Sequence, residues 1–204
     1  MTRVAVVHLD ESCLGNGREG ENPGGTGGLI EIRSGKRIER RDFYLYAPNT
    51  TNNRMALQGA ITALKLLAGK GNRLRVLMVS DSEYLVKGMR EWAPGWAARG
   101  WIRKAGPIEN LTLWQELAQA ARLHDVQWTW VRGHRGHPKN EYANDLAIAA
   151  AREGKTSSGV LESGLPEWLA TKQLRGLFED YDPDAAFDIL ERRLAAGESF
   201  ALAE

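Results

Sequence analysis

Residues 73–81 read RLRVLMVSD, and the reading of this stretch decides the fold. Its apolar run is too short for a buried helix. Bounded by arginine before and an acid after, it predicts a strand covered on both faces. VAVVHLD, at 4–10, has the same form and the same acidic end. Between them, GGLIEIRSGKRIERRDFYLY (27–46) reads as two strands joined at Ser34-Gly35,. Met55, Leu57, Ile61, Leu64 and Leu67 then recur at helical spacing and stop near Gly69,. Working outward, GNGREGENPGGTGG (15–28) reads as a glycine-rich turn and loop,. Residues 83–104 read as short helices with a tryptophan-bearing loop, 110–123 as an amphipathic helix, DVQWTWVRG as a strand and 138–153 as a further helix. A meander of strands followed by alternating helices and strands predicts an α/β fold, a mixed sheet with helices packed on it.

The bulk composition bounds the function without naming it. The 204 residues, 43% hydrophobic and 26% charged, suit one globular domain with an extension,. No apolar run is long enough to span a bilayer, so no membrane association is expected. MTRVAVVHLD is interrupted by charge too early for a secretory leader,. The single cysteine, Cys13, excludes an internal disulfide framework and fits a reducing, cytoplasmic setting,. The formal net charge of +1 hides an asymmetry: residues 1–154 carry 22 Lys and Arg against 16 Asp and Glu, residues 155–204 carry 5 against 10. A basic body permits binding to a polyanion, although ordinary solvated surfaces would read the same.

Asp10 and Asp81 end two candidate strands, and acids at the ends of neighbouring strands can converge on one site. Paired carboxylates without a cysteine or histidine cluster suit a hard cation such as Mg²⁺ or Mn²⁺. The competing reading is that each aspartate caps a turn. Four stretches, in order, change that balance: DESCLGN (10–16), TTNNRMAL (50–57), SDSEYLVKG (80–88) and WTWVRGHRGHPKNEYANDLA (128–147). Together they resemble type 1 ribonuclease H, over about residues 3–153. The resemblance implies the ribonuclease H-like fold, a five-stranded mixed sheet flanked by helices, and Mg²⁺-dependent hydrolysis of the RNA strand of RNA–DNA hybrids by a pair of metal ions, with Mn²⁺ as an alternative.

The resemblance also implies four carboxylate ligands, and this sequence keeps two of them. Asp10 and Asp81 match the first and third. The glutamate position on the first long helix is Ala56, and the aspartate position on the last helix is Asn144. Alanine offers no oxygen. Asparagine keeps one carbonyl oxygen, so Asn144 stays in the expected metal set with Asp10 and Asp81, without its charge. Asp145 lies about 100° further round the helix and cannot simply take over. Glu11 stands where the family usually has glycine, but alternation along a strand predicts that its side chain points to the face opposite Asp10. A ribonuclease H inactive or crippled as written is the resulting expectation, with a catalytically dead hybrid-binding module as the alternative. An engineered change and a natural one both fit the pair.

The remaining site residues come from the same resemblance. Asn16, Asn52 and Asn53 match positions that read RNA 2′-hydroxyls, for which an amide, donor and acceptor at once, is suited. Thr51 and Asn110 match a pocket for a DNA phosphate, weakened by Asn49 where some members have arginine. Ser82 and Trp92 match a channel for the DNA strand. His134 matches a mobile-loop histidine implied in proton transfer or product release, whereas His137 reads as structural. Trp114, Trp128 and Trp130 read as core. The stretch 92–106 matches a basic protrusion, here carrying only Arg99, Arg103 and Lys104.

Residues 1–153 thus read as the ribonuclease H domain, 154–164 as a linker and 165–204 as a helical extension with amphipathic patterns at about 165–178 and 183–196. Those helices are expected to pack on each other or on the body. The competing expectation is an acidic tail docked over the basic substrate groove. A monomer with an RNA–DNA hybrid as its partner completes the reading.

Overall fold

A computed structural model describes residues 3–15, 22–69, 71, 73–133 and 136–200. Strands β1 (Val4–Cys13), β2 (Gly24–Ser34) and β3 (Arg37–Ala47) form an antiparallel meander. Helix α1 (Asn52–Ala68) crosses over to β4 (Arg75–Ser80), which pairs in parallel with β1. Helix α2 (Glu83–Lys87), a π-helical turn (Gly88–Trp92), α3 (Ala93–Ala98) and α4 (Leu111–Ala121) lead to β5 (Asp125–Trp130), parallel to β4. Then come α5 (Pro138–Glu153), β6 (Leu161–Glu162), α6 (Leu165–Gln173) and α7 (Pro183–Ala195). The sheet order is β5-β4-β1-β2-β3-β6.

Alternation along β1 divides the core into two layers. Ala5, Val7 and Leu9 face α1 and α4, in a cluster holding Val76, Met78, Leu57, Leu64, Trp114 and Leu117. Val4 and Val6 face the other way, with Leu77 and Val79, against Phe187, Leu194 and Phe200 of the extension. Beside this second cluster, α5 covers β2 and β1, and Leu165 of α6 packs with Leu29 and Tyr142. Among the described residues no helix is long and apolar enough to cross a membrane.

Three expectations need correction. The loop read at 15–28 ends early, because Gly24–Gly28 belong to β2. These glycines bring β2 close to its neighbours: a Cβ on Gly25 would sit 2.2 Å from the Ala147 carbonyl of α5, and one on Gly27 2.1 Å from that of Ala143. The hairpin turn then falls at Gly35-Lys36, with Gly35 in the left-handed region at φ 61°,. The sheet has six strands rather than five, because the segment read as a linker is bound along the β3 edge. Tyr44 N donates to Ser157 Oγ (3.1 Å), Tyr46 N donates to Thr156 Oγ1 (3.0 Å), and Leu161 pairs with Asp42. An open strand edge is a row of unpaired backbone groups, and this segment satisfies part of it.

The acidic extension does not lie over the α1 side of the sheet. Helix α7 packs on the opposite face and is held by sheet arginines. Arg33 pairs with Asp188 and Glu191, Arg40 with Asp184, and Arg75 donates to the Ala195 carbonyl at 2.8 Å. Phe187 is fully buried in that layer. Replacing Phe187 by Ala is expected to cost about 3–5 kcal/mol, the range for truncating a buried aromatic. Urea denaturation measures it, and a cost under 1 kcal/mol would contradict this account of the packing.

Candidate active site

The central strands end at different heights, and the site lies at that step. The parallel pairing of β1 with β4 stops at Leu9 and Ser80, while β1 continues beside β2 to Cys13. Asp81 follows directly after β4. From residue 10 onward β1 therefore has no strand on its β4 side, and side chains from both of its faces can reach around to Asp81. Asp10 comes from the α5 face. Glu11 comes from the α1 face. Carboxylate oxygens of Asp10, Glu11 and Asp81 all lie within 4.8 Å of one another.

This corrects the expectation for Glu11. Alternation holds along β1, but it does not separate the two carboxylates, because β4 has ended where they would otherwise be divided. Glu11 also has room to be there. Its cross-strand partner Thr26 lies against α1, with its hydroxyl 3.1 Å from the Met55 carbonyl, so Glu11 shares the side of the sheet that faces the turn bearing Ala56. Ala56 itself is 1% exposed and part of the core. Ala56 on α1 offers no carboxylate, whereas Glu11 on the strand facing it does.

The electrostatics follow from crowding. Burial, then the charge of Asp81, pushes the Asp10 carboxyl up to about 8, against opposing hydrogen bonds from the Glu11 N–H (2.7 Å) and Asn140. Burial, then Asp10 and Asp81, pushes Glu11 well above the usual carboxylate range, against a hydrogen bond with Ser82. Glu11 Oε2 is buried without a hydrogen-bond partner among the described residues. Neither Asp10 nor Glu11 pairs with a described cation. Carboxylates gathered with an oxygen left over are the donor set a hard divalent cation takes.

The other expected residues distribute unevenly. Asn144 lies on α5, partly buried, one turn beyond Asn140, whose Nδ2 donates to the Leu9 carbonyl at 3.2 Å. Two such positions share a helix face. Thr51 caps α1 and accepts from Arg54 N, and Ser82 caps α2 and accepts from Leu85 N. Asn52 and Asn53 sit partly buried in the first turn of α1. Asn110, in the left-handed region at φ 55°, donates from Nδ2 to Tyr84 Oη at 3.2 Å. Tyr84 in turn packs against Trp92 and Trp114, so Asn110 and Trp92 belong to one aromatic cluster. Trp114 and Trp128 are buried and Trp130 is partly so, its Nε1 donating to the Asp81 carbonyl at 2.8 Å. Asn16 and His134 lie outside the described residues. Asn140 was not singled out by the sequence; its place four residues before Asn144 was the available signal.

The family model for RNase H matches residues 2–152. The chain is 39% identical over 166 residues to the ribonuclease H of Photorhabdus luminescens, covering 80% of this chain and 99% of that protein. It is 41% identical over 153 residues to the ribonuclease H of Pelobacter propionicus, covering 74% and 87%. This chain therefore belongs to the ribonuclease H family. A solved structure described as LC9-RNase H1, a type 1 RNase H with the type 2 active-site motif, superposes with a TM-score of 0.78 at 53% identity, covering 83% of this chain and 82% of that one.

The raised Asp10 value has a consequence for stability. Its ordinary value of 3.8 rises to about 8 on folding, so the folded, metal-free chain holds this proton more tightly than the unfolded one. The associated stability is complete below the unfolded value and is lost as pH rises through the folded one. In chelator, the metal-free chain should lose stability between about pH 4 and pH 8, and Asp10→Asn should flatten that decline. Denaturant midpoints at several pH values test this, and equal slopes in the two proteins would contradict it.

Proposed function

We propose that the chain is a metal-dependent endonuclease that hydrolyses the RNA strand of RNA–DNA hybrids, with Asp10, Glu11, Asp81 and Asn144 as its ligand set. The observation that carries this reading is the Glu11 carboxylate beside those of Asp10 and Asp81. With Glu11 counted, the ligand set has a formal charge of −3 rather than the −2 left by Asp10 and Asp81 alone, enough for Mg²⁺ or Mn²⁺. The described motif of the 53% identical relative, which differs from that usual for its type, supports a changed ligand arrangement here as well.

When bound, two such ions polarise the phosphoryl oxygens and lower the pKa of an attacking water. The protein's own groups do the rest. Asp10 and Asp81 fix the ligand oxygens at the strand ends, with Trp130 holding the backbone of Asp81. Asn144 contributes a neutral amide oxygen from α5. Asn16, Asn52 and Asn53 are assigned to the RNA 2′-hydroxyls. Thr51, Asn110, Ser82 and Trp92 are assigned to the DNA strand, where a tryptophan face packs on a sugar lacking the 2′-hydroxyl. His134 is assigned to proton transfer or product release. The single cysteine supports a reducing, cytoplasmic setting,, and the basic body supports the hybrid as partner of a monomeric chain.

The second reading is a hybrid-binding module without cleavage. It is favoured by Ala56, which offers no ligand, and by Asn144, which offers no charge. A hybrid with end-labelled RNA separates the two. Under the first reading the protein cuts only the RNA strand with Mg²⁺ or Mn²⁺, stops in chelator, and loses more than about a hundredfold in rate on Asp81→Asn, beyond the 10–100-fold span of outer-shell changes at metal sites. Hybrid binding without any metal-dependent cleavage would establish the second.

A further inference from the structure

The geometry points to Thr26 as the positioning residue that holds the Asp10–Glu11 pair in place for metal binding. This rests on the reading of the carboxylate cluster as a metal site. Thr26 touches no ligand oxygen in that reading; it acts through the strand that carries them.

Beyond Leu9 the strand has lost β4, and it carries two crowded acids there. Two side chains take up its last central carbonyls, one from each face. From the α5 face, Asn140 Nδ2 donates to the Leu9 carbonyl at 3.2 Å. From the α1 face, the Thr26 hydroxyl lies 3.1 Å from the Asp10 carbonyl and 3.1 Å from the Met55 carbonyl, within donating distance of either,. Thr26 is fully buried and stands directly opposite Glu11 across the β1–β2 pair.

The surrounding packing is made for this hydroxyl. A Cβ on Gly59 would sit 2.8 Å from both Oγ1 and Cγ2 of Thr26, so α1 comes this close to the strand only because residue 59 is glycine. The bridge therefore ties β1 at Asp10 to α1 at the residue just before Ala56. In effect it fixes the distance between the strand that carries the carboxylate and the helix turn that lacks one. A strand free to retreat would carry Asp10 and Glu11 away from Asp81, since repulsion among the three carboxylates is relieved by separation,. The buried hydroxyl opposes that movement before any ion arrives, which is preorganisation of the ligand set.

Thr26→Val keeps the shape and removes the hydroxyl, whereas Thr26→Ser keeps the hydroxyl. Calorimetric titration with Mn²⁺ alone, without nucleic acid, reads the ligand set directly. Thr26→Val is expected to bind Mn²⁺ about five- to tenfold more weakly than the unaltered chain, the equivalent of one net hydrogen bond. Thr26→Ser is expected to stay within about twofold, well inside that bond's worth. Amide exchange at residues 9–13 should rise in the valine variant alone. Should the valine variant not fold, Thr26→Ala is compared with Thr26→Ser in its place. A valine variant that folds, loses stability and binds Mn²⁺ as well as the unaltered chain would overturn the proposal, as would a serine variant as weak as the valine one. If the unaltered chain itself binds no Mn²⁺, the metal reading of the cluster fails, and that result is distinct from a valine variant matching a binding parent.

Discussion

Repulsion among three carboxylates at the step between β1 and β4 is the constraint on which the rest of this structure depends. At 4.8 Å, each ionised pair would cost on the order of 3 kcal/mol at an effective dielectric of 20. The metal-free protein limits this by holding protons, as the raised values of Asp10 and Glu11 show. It also limits movement. Carbonyl oxygens on both sides of Asp10 are bonded by side chains from neighbouring elements, and the indole of Trp130 bonds the backbone of Asp81. Such an arrangement is unfavourable in isolation and makes physical sense as a place for a cation.

Further back along the α5 face, the face that also carries Asp10, a buried ion cluster supplies rigidity. Glu31 is fully buried and contacts His8 at 3.3 Å, Arg40 at 2.8 Å and Lys139 at 2.8 Å. Burial pushes its carboxyl up, but His8 and Lys139 outweigh this and bring it down to about 2. Lys139 donates as well to the Pro183 carbonyl at the start of α7, and the next residue is Asn140, which holds β1 at Leu9. The extension thus closes over a buried ion cluster that shares helix α5 with the active-site arm. Removing one member of such a cluster leaves an uncompensated charge inside the protein. The acidic tail is therefore part of the second core layer, where sequence alone allowed it to be a cover for a basic groove.

Much of this was legible in the amino-acid order. The apolar runs ending in Asp10 and Asp81, the helical spacing of Met55 to Leu67, and the stretch around 128–147 carry the fold and the family. Glu11 was misjudged for a definable reason. Side-chain alternation is a property of one strand, whereas the step that lets both faces reach Asp81 is a property of where its neighbour stops. Thr26 was hidden among glycines, which read as a loop because glycine usually breaks strands. Only the close approach of α5 shows why Gly25 and Gly27 belong in one. The short strand β6 has two residues and no apolar alternation, so nothing in its sequence announced it. The amphipathic character of α7 was readable, but its choice of sheet face depends on Arg33, Arg40 and Arg75, which lie far away in the chain.

In the proposed ligand set Glu11 supplies from β1 a carboxylate that Ala56 on α1 does not offer. Moving it to α1 is the most direct measurement. Metal-dependent cleavage of the RNA strand of a hybrid is compared among the unaltered chain, Glu11→Gly, and Glu11→Gly combined with Ala56→Glu. An active parent, a single variant with little or no activity, and recovery in the double variant are expected. A Glu11→Gly protein that cleaves as fast as its parent would contradict that ligand set.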